Sequence, residues 1–140
     1  MKIIQVSGRS NSGKTTFIRK LIPELKKIGP VGVIKHLGDH EFHLDEGKDT
    51  TLFYEAGADI STGIDAYKTV STLQNADLDK ILDYYVTNGI NFAVIEGYKQ
   101  RSFAKIVIGN LEIDRCVLTN PEIDDVIQSL DLFDEYPIPK

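Results

Sequence analysis

The apolar run Lys2-Ile3-Ile4-Gln5-Val6 breaks at Ser7 into Gly8-Arg9-Ser10-Asn11-Ser12-Gly13-Lys14-Thr15, and an apolar pattern resumes at Phe17 and Ile18. Two glycines five positions apart, followed by lysine and a hydroxyl residue, make the pattern of a phosphate-binding loop. This constrains the fold more than any other stretch, because the pattern works only where a buried strand ends and a helix starts. Successive backbone N–H groups then form a nest for phosphate oxygens, and the helix adds the positive end of its dipole. Gly8 and Gly13 let the backbone turn tightly. Lys14 reaches the terminal phosphates, and the Thr15 hydroxyl is a hard oxygen ligand suited to Mg²⁺. Ser12 belongs to the same cradle, while Arg9, Ser10 and Asn11 face phosphate, a partner subunit or solvent.

The rest of the chain alternates in the way such a loop requires. Phe17, Ile18, Leu21, Ile22, Leu25 and Ile28 recur at helical spacing, with a bend expected at Pro23 and a stop at Gly29-Pro30. "VGVIK" reads as a second strand, "KDTTLFYEAGA" as a short helix closed by Gly57, and residues 59–73 as a hairpin or two successive strands. Leu78, Ile81, Leu82 and Tyr85 mark a helix capped by Asp77 and ended before Gly89. "NFAVIEG" and "AKIVIGN" are further strands and "CVLTN" a last buried one. A final helix is capped by Asn120, with Pro121 in its first position, and the tail from about residue 134 is loose. Strands alternating with helices predict an α/β fold with a mainly parallel sheet and helices on both faces. The 140 residues suit a single domain.

"FAVIEG" places Glu96 at the carboxyl end of a buried strand, where a phosphate-loop protein carries the acidic group that orders the metal's water shell. Lys14 and Glu96 are therefore the candidate catalytic residues, and Thr15 and Glu96 the candidate Mg²⁺ ligands, Glu96 through water. Gly97 to Gln100 follow as a flexible stretch. The Asn-Lys-x-Asp quartet that reads guanine in regulatory GTPases is absent. Asn120, after the last strand, either reads a base or only caps its helix. No residue stands out as an arginine finger or a water-orienting glutamine, and Arg101 and Lys99 are no more than candidates, so fast hydrolysis is not expected.

The polar stretch His36 to Gly47 holds all three histidines, His36, His40 and His43, beside Asp39, Glu41 and Asp45. Their spacing fits no zinc signature and no cysteine accompanies them. Lys35 ends a strand at the same sheet edge as Gly8 and Glu96, so the loop is expected to overhang the nucleotide, with Lys48 and Asp49 starting a helix near it. A net charge of −5 argues against broad binding to nucleic acid or anionic membrane. No apolar run has the length of a membrane span, and the N-terminus lacks a secretory pattern, which makes the cytoplasm the expected location. The one cysteine, Cys116, reads as a buried structural thiol.

Taken in order, "GRSNSGKTT", "VIKH", a loop leading to "GKDT", then "EAGA", "VIEGYK" and "AKIVI" resemble the MobB family, the molybdopterin-guanine dinucleotide biosynthesis adaptor proteins. The resemblance runs from the first strand to about Asn120. It implies a P-loop NTPase-like, GTP-binding homodimer with weak GTPase activity, whose partner is the guanylyltransferase (MobA family) that joins GMP to the pterin cofactor. By matching motif, Gly8, Gly13, Lys14, Thr15 and Thr16 carry over as nucleotide-binding and Glu96 as the acidic strand end. Lys35, His36, Asp45, Lys48 and Asp49 match the family's characteristic loop. Many members read "KHTHHD" after the second strand, where this chain reads "KHLGDH". The expected function is a GTP-binding accessory protein in molybdenum cofactor synthesis; the alternative is a small-molecule kinase using the same loop.

Overall fold

The structure, a computed structural model, describes residues 1–74 and 77–140. The elements are β1 (Lys2–Ser7), α1 (Lys14–Lys26), β2 (Val31–Lys35), α2 (Asp49–Glu55), β3 (Ile60–Ile64), β4 (Thr69–Leu73), α3 (Leu78–Thr87), β5 (Phe92–Glu96), β6 (Lys105–Val107), β7 (Cys116–Thr119), α4 (Ile123–Gln128) and β8 (Asp134–Glu135), with a 3₁₀ turn at Leu130–Leu132. The chain divides into two compact units, residues 1–38 with 82–140, and residues 39–81.

In the first unit the sheet order is β2-β5-β1-β6-β7, and all four neighbouring pairs are parallel. Parallel strands bury both faces, which is why "KIIQV" and "FAVIE" read as continuous rather than alternating runs. Ile4, Val6, Phe92, Val94 and Ile106 form one core with Ile18, Leu21 and Leu25 of α1 and Val126 of α4. On the opposite face Ile3, Ala93 and Ile95 are fully buried. Gly32, in register with Ala93, lies there under the Tyr85 ring of α3. Helices thus cover both faces of a mainly parallel sheet, as the alternation predicts. Among the described residues no helix is long and apolar enough to cross a membrane.

Three expectations at the C-terminal end give way to the structure. Strand β7 is an edge strand bonded only to β6, so Cys116 is exposed, its thiol 3.4 Å from the Leu118 carbonyl. Helix α4 starts at Ile123, with Glu122 and not Asn120 as its N-cap; the Glu122 N–H donates to Asp125 Oδ2 at 2.9 Å. The tail is not loose as far as Tyr136. Asp134 and Glu135 pair antiparallel with Ile3 and Lys2, Phe133 is buried in the core, and the Tyr136 hydroxyl donates to Asp83 at 2.6 Å.

In the second unit Gly57 (φ +106°) ends α2, and β3 and β4 form an antiparallel hairpin, one of the two arrangements open from the sequence. Asp65 Oδ1 fixes its turn by accepting the Tyr67 and Lys68 N–H groups at 2.7 and 2.8 Å. Asp77 caps the start of α3, accepting the Lys80 N–H at 2.9 Å.

Candidate functional site

The loop after β1 is shaped by two left-handed residues, Asn11 (φ +61°) and Gly13 (φ +100°), the second being the N-cap of α1. Gly8 is held to glycine by space. A Cβ there would lie 2.5 Å from the Ile108 carbonyl oxygen, which the backbone cannot move cheaply, and 2.6 Å from Ser12 Oγ. The Lys14 ammonium folds over the loop, donating to the Gly8 carbonyl at 2.8 Å and the Arg9 carbonyl at 3.0 Å. Thr15 and Thr16 are exposed in the first turn of α1. The Ser12 hydroxyl is buried and has no protein partner, the kind of orphan that calls for an explanation.

Glu96 stands in register with Val6 of β1 and Lys35 of β2, so the carboxyl ends of three parallel strands carry the loop, the carboxylate and the lysine in one row. The Glu96 side chain is 13% exposed and 3.6 Å from Lys35 Nζ. The His36 N–H donates to the Glu96 carbonyl at 2.9 Å, and its ring stacks on Tyr98 with centroids 4.1 Å apart. Gly97 (φ +94°) fits this junction: a Cβ would meet His36 Cβ at 3.0 Å.

The stretch after Glu96 is lashed down, not the flexible segment its sequence suggests. The fully buried Gln5 donates through Nε2 to the Gly97 and Tyr98 carbonyls at 2.7 and 2.6 Å. Lys105, 1% exposed and in register with Gln5, donates to the Arg101 and Phe103 carbonyls at 2.6 and 2.9 Å. Burial pushes the Lys105 pKa down, and the nearby Arg115 charge adds to the effect. Both residues were missed as site supports. The available signal was a polar or charged side chain inside an otherwise apolar central strand.

Asn120 (φ +45°) follows β7. Its Oδ1 accepts the Gly109 N–H at 2.6 Å and its Nδ2 donates to the Gly109 carbonyl at 3.0 Å, a closed ring that ties two strand ends together. Beside it opens a cavity of about 370 Å³, lined on the α1 side by Gly13, Phe17 and Lys20 and on the other by Ile108, Pro121 and Glu122. The first unit therefore brings together Gly8 to Thr16, Lys35, His36, Glu96 and Asn120. Asp45, Lys48 and Asp49 belong to the second unit, where the Lys48 ammonium lies 2.8 Å from Asp45 and holds that carboxyl below its usual range. Among the described residues no three His, Cys, Asp or Glu side chains gather as a metal-binding group.

A Bacillus subtilis protein described as a probable molybdopterin-guanine dinucleotide biosynthesis adapter protein is 36% identical over 110 residues, 76% of this chain and 64% of its own length, so the chain spans less than two thirds of that relative. The Haemophilus influenzae molybdopterin-guanine dinucleotide biosynthesis adapter protein is 32% identical over 141 residues, 97% of this chain and 76% of its own. The crystal structure of Bacillus subtilis MobB superposes with a TM-score of 0.68 at 30% identity, covering 85% of this chain and 77% of that one. Matched by the family model along residues 3–129, the chain belongs to the MobB family, molybdopterin guanine dinucleotide synthesis protein B.

Proposed function

We propose that this chain is a GTP-binding adapter in the synthesis of molybdopterin guanine dinucleotide, serving the guanylyltransferase (MobA family) that attaches the nucleotide. The observation that carries the reading is the Lys14 ammonium held over a left-handed loop at the start of α1, in a row of strand ends that includes Glu96. The nest of N–H groups and the α1 dipole favour a polyphosphate there. Lys14 would exchange its two carbonyl partners for phosphate oxygens. Thr15 and Glu96 offer the hard oxygen set that Mg²⁺ takes, Glu96 through water, and the cation would neutralise charge along the triphosphate. Lys35 steadies the Glu96 carboxylate.

Slow hydrolysis fits the engagement of three of the four arginines. Arg9 Nε donates to the Asn110 carbonyl at 3.3 Å, the Arg101 guanidinium lies 5.1 Å over the Phe103 ring, and Arg115 pairs with Asp134 at 3.0 Å. An arginine so engaged does not act as a finger on the phosphates without leaving its partner. The family's dimeric habit is supported by the exposed Ile60, Ile64, Tyr67 and Val70 on the hairpin. Lys35, His36, Asp45, Lys48 and Asp49 are read as surfaces for cofactor or partner.

Calorimetric titration with Mg-GTP tests the cradle. Lys14→Ala is expected to weaken binding roughly tenfold or more, the worth of a charge-assisted hydrogen bond. Unchanged affinity would remove the cradle. The adapter role is read separately, as faster or tighter turnover of the guanylyltransferase when the protein is added; no effect would leave only a nucleotide-binding protein.

A further inference from the structure

The cavity beside the loop has polar walls that phosphate binding does not use. Asn120, the residue the sequence offers for base reading, closes both ends of its amide on Gly109. It shapes the wall and leaves the reading to others. Among the remaining side chains on the cavity, Lys20 comes from the α1 side and Glu122 from the segment before α4. An ammonium only donates and a carboxylate only accepts. The rings of Phe17 and Pro121 and the side chain of Ile108 supply apolar surface between them. A space of about 370 Å³ with apolar faces and a few convergent polar groups suits a small planar ligand.

Two purines present opposite edges to such a pair. Guanine carries an acceptor at O6 beside N–H donors at N1 and N2, whereas adenine carries a donor at N6 beside an acceptor at N1. A lysine and a carboxylate match the first. The second would set the adenine N1 lone pair against the carboxylate oxygens. We propose that Glu122, with Lys20, selects a guanine base over adenine in this cavity, Glu122 accepting from the N1 and N2 groups and Lys20 donating to O6. This rests on the reading of the loop after β1 as a triphosphate site. Glu122 is held in a capping box, its side chain accepting the Asp125 N–H while its own N–H donates to Asp125 Oδ2; this keeps the reader in place before the base arrives, and a carboxylate has acceptor sites beyond the one the cap takes.

The test measures binding of GTP, ATP, ITP, XTP and inorganic tripolyphosphate, with Mg²⁺, to the unaltered protein, Glu122→Gln and Lys20→Ala. The unaltered protein is expected to prefer GTP over ATP at least tenfold, with ITP between them because it lacks the 2-amino group. Glu122→Gln should weaken GTP roughly ten- to hundredfold, leave tripolyphosphate unchanged, and favour XTP, whose 2-oxo group accepts from the new amide. Lys20→Ala should reduce GTP and ITP alike. Equal affinity for GTP and ATP, or a Glu122→Gln protein with unaltered GTP affinity and base preference, would overturn the assignment while leaving the triphosphate site standing. Absence of tripolyphosphate and nucleotide binding altogether would overturn both.

Discussion

Gln5 is the one polar side chain within the central strand run from Ile3 to Val6, and it is fully buried. Two carbonyl acceptors leave no choice about its amide orientation, since only Nε2 can donate to both Gly97 and Tyr98. The residues it holds sit at φ +94° and +53°, so the turn after Glu96 is a strained shape kept by a specific support. Gln5→Leu has similar volume but leaves both carbonyls without that donor. It is expected to cost about 1–3 kcal/mol in urea unfolding, and a loss below a few tenths would show that the turn holds itself. At this scale the placement of residues was readable where a spaced motif marks it. Gly8, Gly13, Lys14 and Glu96 fall at strand ends and loop positions that their types demand. It was silent where a side chain serves distant backbone, as Gln5 and Lys105 do, because nothing local in "KIIQV" or "AKIVI" says which carbonyls will lie nearby.

Secondary-structure elements were legible wherever a period or a breaker marks them. The strands β1, β2 and β5 and the helices α1, α2 and α3 follow runs and caps visible in the sequence. The start of α4 was misplaced because Asn120 and Pro121 satisfy a local rule for helix starts, while the Gly109 backbone competes for the Asn120 amide and leaves Glu122 to cap. Strand β2 shows the converse, a local choice fixed by packing. A Cβ on Gly32 would meet the Tyr85 ring, with Cδ2 at 2.6 Å and Cζ at 2.9 Å and Cε2 closer still. That ring is also tethered through its hydroxyl to the Val33 carbonyl at 3.0 Å, so it cannot swing aside freely. Gly32→Ala is expected to cost about 1–3 kcal/mol by overpacking β2 against α3. The same substitution in a Tyr85→Leu background should cost clearly less, because the two residues share one space. Equal costs in both backgrounds would place the problem in the strand itself.

At the scale of the whole chain, the last segment reaches back to the first residues. Beside the pairing of Asp134 and Glu135 with β1, Lys2 Nζ donates to the Phe133 carbonyl at 3.2 Å. Asp134 also accepts the Ala104 N–H at 2.7 Å and the Arg115 guanidinium at 3.0 Å, joining β8 to the approaches of β6 and β7. This closure was hidden in the sequence because "DLFDEYPIPK" has too few residues for a periodic pattern and its prolines suggest a free end. Burial raises the Asp134 pKa, but the Ala104 N–H and the Arg115 guanidinium together outweigh it and hold the carboxyl below its ordinary value. A depressed folded pKa means the folded state binds its proton less readily than the unfolded chain does. The stabilisation is therefore complete above the unfolded value of about 3.9 and is lost as pH falls from there through the folded value. Asp134→Asn keeps the shape and removes the charge. Relative to the unaltered protein it should be about 1–3 kcal/mol less stable at pH 7, with the gap constant down to about pH 5 and narrowing below about pH 4. Urea unfolding of both proteins at several pH values measures this, and a gap that does not narrow in acid would mean that the closure depends on shape and not on the ionised carboxylate.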